Sequence, residues 1–149
     1  MPDTQQTNID KAPWHLWVVG LLGLLWSAGG AFDYFMTQTS NEAYMSAFTP
    51  EQLEFFYGLP SWVVAFWALA VWGGVLGAIL LLLRKAIAVK IFLISLIAFL
   101  ITAFQNYGLS NGLEVIGDAF SLVFVLVIFL ASLGLFFYSR AMLRRGVIG

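Results

Sequence analysis

The sequence predicts an all-α integral membrane protein: a four-helix bundle with both termini in the cytoplasm and a short amphipathic helix in its first periplasmic loop. Three observations carry this reading. Hydrophobic residues make up 61% of the 149 and charged residues only 10%, whereas a soluble domain carries about 25% charged residues. Four apolar runs, at about 14–35, 60–83, 86–105 and 119–139, have the length that a helix of roughly 20 residues needs to cross a bilayer. All seven Lys and Arg lie on one side of that pattern: Lys11 before the first run, Arg84, Lys85 and Lys90 between the second and third, and Arg140, Arg144 and Arg145 after the fourth. Cytoplasmic segments retain basic residues during insertion, while Asp33, Glu42, Glu51, Glu54, Glu114 and Asp118 fall in the two opposite connections.

Four spans leave no length for a separate soluble catalytic domain, so the chain reads as one membrane domain over 1–149. The net charge of −1 conceals a molecule basic on one side and acidic on the other, and gives no reason to expect a nucleic-acid partner. Without Cys there is no disulfide, thiolate nucleophile or cysteine metal site.

In chain order, residues 1–12 are polar and read as a mobile or partner-held tail. Pro13 opens the first span, with Trp14 and Trp17 at headgroup level and His15 between them. The small residues Ser27 to Ala31 resemble a signal-peptide cleavage site, but one Lys against Asp3 and Asp10 makes a poor n-region, so the run is expected to be a retained span. The first loop, of roughly 25 residues, is long enough to need structure of its own. Within it, Thr49-Pro50-Glu51-Gln52 combines an N-cap Thr, Pro at the first helical position and Gln three residues after the cap. A short surface helix with Leu53, Phe55, Phe56 and Tyr57 is expected there, ended by Gly58 and Pro60, with a further turn within 41–48. Together they are expected to form a lid over one end of the bundle. Spans two and three are joined by a tight basic turn, and Lys90 is near enough to the surface to snorkel. The connection 105–118, with Gly108, Gly112 and Gly117, reads as turns.

Gly20, Gly23, Ser27 and Gly30 form a small-residue stripe on the first span, and Ala70, Gly73 and Gly77 offer a partner surface on the second. Such stripes let helix backbones approach where no water drives them together. Packing within the chain and contact with a second subunit or copy both satisfy the pattern. Trp26, Trp67 and Trp72 lie inside the apolar runs, and each brings an N–H that prefers a partner. They are candidate contacts for a lipid, quinone or carotenoid, or plain packing residues; no cofactor is otherwise implied.

The polar residues nearest the membrane are Asp33, Tyr34, Gln105, Asn106, Glu114 and Asp118, all expected to converge on one acidic, hydrogen-bonding pocket under the lid. Asp33 is the sharpest candidate, because only 17 apolar residues, Leu16 to Phe32, precede it. None of the spans has an ionisable group at its centre, where an ion-coupled transporter normally needs one. His15 is the sole His, which excludes bis-His haem or a three-His metal site within one chain. There is no phosphate loop, HExxH or nucleophilic triad, and no enzyme activity is expected.

The segments Ala12-Pro13-Trp14-His15-Leu16-Trp17, Phe32-Asp33-Tyr34-Phe35-Met36-Thr37-Gln38, Phe48-Thr49-Pro50-Glu51-Gln52-Leu53 and Phe66-Trp67-Ala68-Leu69-Ala70-Val71-Trp72-Gly73 resemble a group of small bacterial four-span inner-membrane proteins loosely labelled sugar transporters. The layout is also similar to the DoxX-like family. The resemblance implies a bacterial inner membrane and supplies no catalytic motif. The expected role is a non-enzymatic accessory or structural subunit of a larger membrane complex, in contact with bilayer lipid and with other membrane subunits or itself. The alternative is a small oligomeric transporter or carrier of a lipophilic or small polar ligand.

Overall fold

Two prolines open two of the long helices. Pro13 (φ −65°) precedes α1, Trp14–Gln38, and Pro60 (φ −59°) precedes α4, Ser61–Leu82. The computed structural model describes residues 12–109 and 112–149; the polar tail expected over 1–12 lies, but for Ala12, outside the described residues. Between α1 and α4 come α2, Glu42–Met45, and α3, Pro50–Tyr57. Then follow α5, Ile87–Phe104, running into a π-helical turn, Gln105–Leu109, the single turn α6, Gly112–Val115, and α7, Ala119–Arg144. Four of these helices, with α5 extended to Leu109, are long and apolar enough to cross a membrane, which makes this an all-helical, multi-pass membrane chain. No strand occurs among the described residues.

The expected bounds shift where nothing in the chain stops a helix. The first helix runs past Asp33 to Gln38, and the last carries Arg140 and Arg144 within it. The stops that do operate share one geometry. Ser40 (φ 53°), Arg84 (φ 59°) and Gly146 (φ 73°) stand in the left-handed region directly after the caps of α1, α4 and α7. At each, the following N–H reaches back across the last turn: Asn41 to Met36 O, Lys85 to Leu80 O, Val147 to Met142 O, at 2.9–3.1 Å. These are Schellman closures, which satisfy carbonyls the helix leaves orphaned.

Successive long helices pack as neighbours, α1 on α4, α4 on α5 and α5 on α7, while α1 and α7 meet only sparingly. The antiparallel course gathers Arg84, Lys85 and the Arg residues of α7 at one end of the bundle and the loops bearing the acids at the other. Small residues set the close contacts. A Cβ on Gly20 would overlap Leu82, one on Gly77 would lie 2.7 Å from the Phe92 ring, and one on Gly74 would lie 2.8 Å from Ser27 Oγ. Ser95 Oγ donates to Ala70 O at 2.5 Å, joining α5 to α4 by a hydrogen bond that satisfies the serine hydroxyl in the apolar interior.

The buried core lies at the basic end: Leu16, Ala78, Leu81, Ala88, Phe92 and Met142, with Val147 and Ile148 tucked beneath. After Gly146 the chain doubles back along the α4–α5 turn. Gly149 N–H donates to Arg84 O and Ala86 N–H to Gly149 O, each at 3.1 Å, and Arg84 Nε donates to Val147 O at 2.9 Å.

Candidate functional site at the acidic end of the bundle

The acidic end is built on α1 outlasting its apolar stretch. Because the helix continues to Gln38, the half-buried Asp33 side chain is presented from its flank. Ser40 reverses the chain, Asn41 Oδ1 accepts from Tyr44 N–H at 3.0 Å to start α2, and the Tyr44 hydroxyl then donates a short hydrogen bond to Asp33 Oδ1. Met45 is buried beside it, and the Tyr44 ring stands edge-on to Phe32 at 5.8 Å. Burial, and then the adjacent Asp33 carboxylate, push the Tyr44 hydroxyl up to about 12, since both disfavour a phenolate there.

From Tyr44 the ring contacts continue to Phe48 and on to Phe56, with centroids 6.0 and 5.5 Å apart, and Phe56 meets Phe55 at 5.7 Å. This row connects α2 to α3, whose start is a complete capping box: Thr49 Oγ1 accepts from Gln52 N–H at 3.2 Å, and Gln52 Oε1 from Thr49 N–H at 3.1 Å. No residue of α3 is buried, and it touches α6 across the end of the bundle. A cavity of about 490 Å³ lies between them, lined by Glu51, Glu54, Phe55, Leu59 and Glu114 among others. A second, of about 270 Å³, lies between the ends of α1 and α3 and the start of α4, where Thr37, Gln38, Ser40, Tyr57 and Ser61 present uncharged polar groups beside Phe56.

The six residues expected to form one pocket are therefore divided among separate tasks. Only Glu114 lines either cavity. Asp33 holds Tyr44, and Tyr34 stands edge-on to Trp67 at 5.0 Å. Gln105 is buried at the start of the π-helical turn, and Asn106 Oδ1 is buried with no hydrogen-bond donor among the described residues. Asp118 caps α7, accepting from Ser121 N–H at 3.1 Å and Ser121 Oγ at 2.7 Å; these bonds hold its carboxyl below the usual carboxylate range. The connection expected as turns instead contains the π-helical turn and α6, with Gly112 packed so closely on Asn106 O that a Cβ would overlap it.

The small-residue stripes are also distributed differently from the expectation. On α1, Gly20 faces Leu82, Ser27 faces Gly74 and Gly30 faces Val71, all on α4, but Gly23 receives Leu135 of α7. On α4, Gly73 and Gly77 face Ser95 and Phe92 of α5, not α1, and the glycine that meets α1 is Gly74. The 100° step per residue puts the adjacent Gly73 and Gly74 on different faces. Gly74 and Ser95 were thus missed as packing residues, although the Gly-Gly pair was the signal for one of them. Of the aromatic candidates, Trp26 meets Phe124 at 6.0 Å, Trp67 meets Tyr34, and Trp72 is 48% exposed on the outer surface. Neither cavity reaches any of the three.

At the opposite end, His15 Nδ1 and the Tyr138 hydroxyl lie 2.5 Å apart, tying the start of α1 to the end of α7. Among the described residues no three His, Asp or Glu side chains are grouped so that they could hold a metal ion. No family model, curated protein or solved structure matches the chain.

Proposed function

We propose that this chain is a non-enzymatic accessory subunit of a bacterial inner membrane, with both termini in the cytoplasm, that packs through its helix faces against a larger membrane complex. The observation that carries the reading is the state of α7. In the other three spans 22–28% of the most apolar 18 residues are buried within the chain; in α7 none is. The apolar stretch of α7, which its own bundle covers only in part, leaves an apolar surface for a neighbour, and helix association in lipid proceeds by such packing. The division of the polar residues among capping and latching tasks agrees with a scaffold role. The test is gentle extraction of the tagged chain from its native membrane, followed by native mass measurement. Stoichiometric larger subunits support the reading; a lone chain or a homo-oligomer refutes it.

A carrier of a small polar ligand is the second reading, favoured by the 270 Å³ cavity with its uncharged lining. Solute flux in proteoliposomes holding only this chain would support it over the first.

A further inference from the structure

One face of α7 changes its burial along its length. The residues at helical spacing toward the rest of the bundle, Ser121, Val125, Ile128 and Ser132, are only half-buried, whereas Ser139 and Met142, farther along the same face, are buried. Every α7 residue that belongs to or packs on the core cluster comes from the last ten residues of the helix: Leu135, Phe136, Tyr138 and Met142. The fixings are concentrated there too. Leu135 seats on Gly23, His15 meets the Tyr138 hydroxyl at 2.5 Å, and the strap after Gly146 buries Val147 and Ile148 while bonding to both sides of the α4–α5 turn. Toward the acidic end, the ring contact between α1 and α7 is that of Trp26 with Phe124, tilted at 47° with centroids 6.0 Å apart and each ring more than a third exposed.

We infer that α7 is a hinged helix, pinned to the bundle at its basic end by the C-terminal strap, whose acidic half swings away from α1 to open a lateral slot with Trp26 and Phe124 as its closing pair. The physical ground is the distribution of contacts. Segments with few buried apolar contacts open at low free energy, and segments locked in a core open only with the whole fold. Here both conditions occur in one helix, so the pivot lies where they meet, near Leu135. In lipid the motion faces no hydrophobic penalty, because hydrocarbon tails replace the lost protein contact. The hinge belongs to the chain itself and does not depend on the accessory reading.

The experiment uses the full chain, alone in lipid nanodiscs, with pairs of spin labels on outward-facing positions. The absence of native Cys means that introduced cysteines are labelled without background. Leu25→Cys with Val123→Cys reports the acidic half of the seam, and Val18→Cys with Phe137→Cys the basic half; all four native side chains are exposed. The expected result is a broad or two-component distance distribution for the first pair and a narrow one for the second. Trp26→Ala is expected to enrich the longer component of the first pair alone, and Ile148→Ala to broaden the second. Equally narrow distributions for both pairs overturn the hinge, and equally broad ones overturn the pivot. The unsubstituted bundle decides the question even if Ile148→Ala fails to fold.

Discussion

The Tyr44 hydroxyl donates to the Asp33 carboxylate, so the residue that ends the apolar stretch of α1 is the one that holds the first loop against the bundle. The bond is charge-assisted and partly screened, so its loss is expected to destabilise α2 locally by about 1–2 kcal/mol. Tyr44→Phe keeps the ring contact with Phe32 and removes only the donor. Amide exchange over Glu42–Met45 is therefore expected to accelerate roughly five- to thirtyfold, with the cores of α4 and α5 unchanged. Asp33→Asn retains a carbonyl acceptor and is expected to show a smaller change. Unaltered exchange in Tyr44→Phe would show that the latch contributes nothing.

The same pair gives a pH dependence of definite sign. The folded state raises the Tyr44 hydroxyl to about 12 from an ordinary 10.0, so the protonated form is favoured by folding. That stabilisation is complete below pH 10 and is lost as pH rises from there through about 12. Alkaline titration followed by tyrosinate absorbance is expected to show a late-titrating component that Tyr44→Phe reduces by one tyrosine. Loss of an ordinarily titrating component instead would contradict the buried, carboxylate-facing position.

Much of the architecture was legible because length and composition dictate it. Four uninterrupted apolar runs of spanning length can only be helices in a bilayer, and Thr49-Pro50-Glu51-Gln52 encodes the start of α3 in its own side chains. Less legible was the rotation of each helix. In α4 the apolar character surrounds the axis, so no polar side marks the outside; the small-residue spacing pairs Gly73 and Gly77 with α1 when they face α5, and passes over Gly74, which meets α1. The candidate pocket failed for a related reason. Asp33, Asn106 and Asp118 are polar residues at one membrane face, but hydropathy carries no information on whether a carboxylate meets a ligand, a loop tyrosine or the N–H groups of its own helix. Tyr44 as the partner of Asp33 depends on the reversal at Ser40, a residue with no glycine to announce a left-handed turn.

Helix spacing in the interior yields a graded series. A methyl on Gly77 meets the Phe92 ring at 2.7 Å and one on Gly74 meets Ser27 Oγ at 2.8 Å, while one on Gly29 meets nothing within 4 Å. Gly77→Ala is expected to cost about 1–3 kcal/mol through overpacking. Gly74→Ala is expected to cost somewhat less, because a serine hydroxyl turns aside more readily than a buried ring. Gly29→Ala is expected to be neutral or slightly stabilising, as alanine is the better helix former. Unfolding midpoints in mixed detergent micelles rank the three, and equal effects would contradict the assignment of faces.

Ser40 and Arg84 both stand at positive φ after a helix cap, yet glycine is expected to act differently at each. An L side chain in the left-handed region carries a penalty of about 1–2 kcal/mol, and glycine removes it while adding backbone freedom to the unfolded chain. At the exposed Ser40, whose closure uses only backbone atoms, Ser40→Gly is expected to gain about 0.5–1 kcal/mol. Arg84 Nε donates to Val147 O at 2.9 Å and so anchors the C-terminal strap. Arg84→Gly relieves the same backbone penalty but leaves that carbonyl without its charged donor, a loss of about 1.5–3 kcal/mol. It is therefore expected to lower the unfolding midpoint where Ser40→Gly raises it, and to loosen Val147 and Ile148 first. A gain in both variants would show that the guanidinium does not hold the strap.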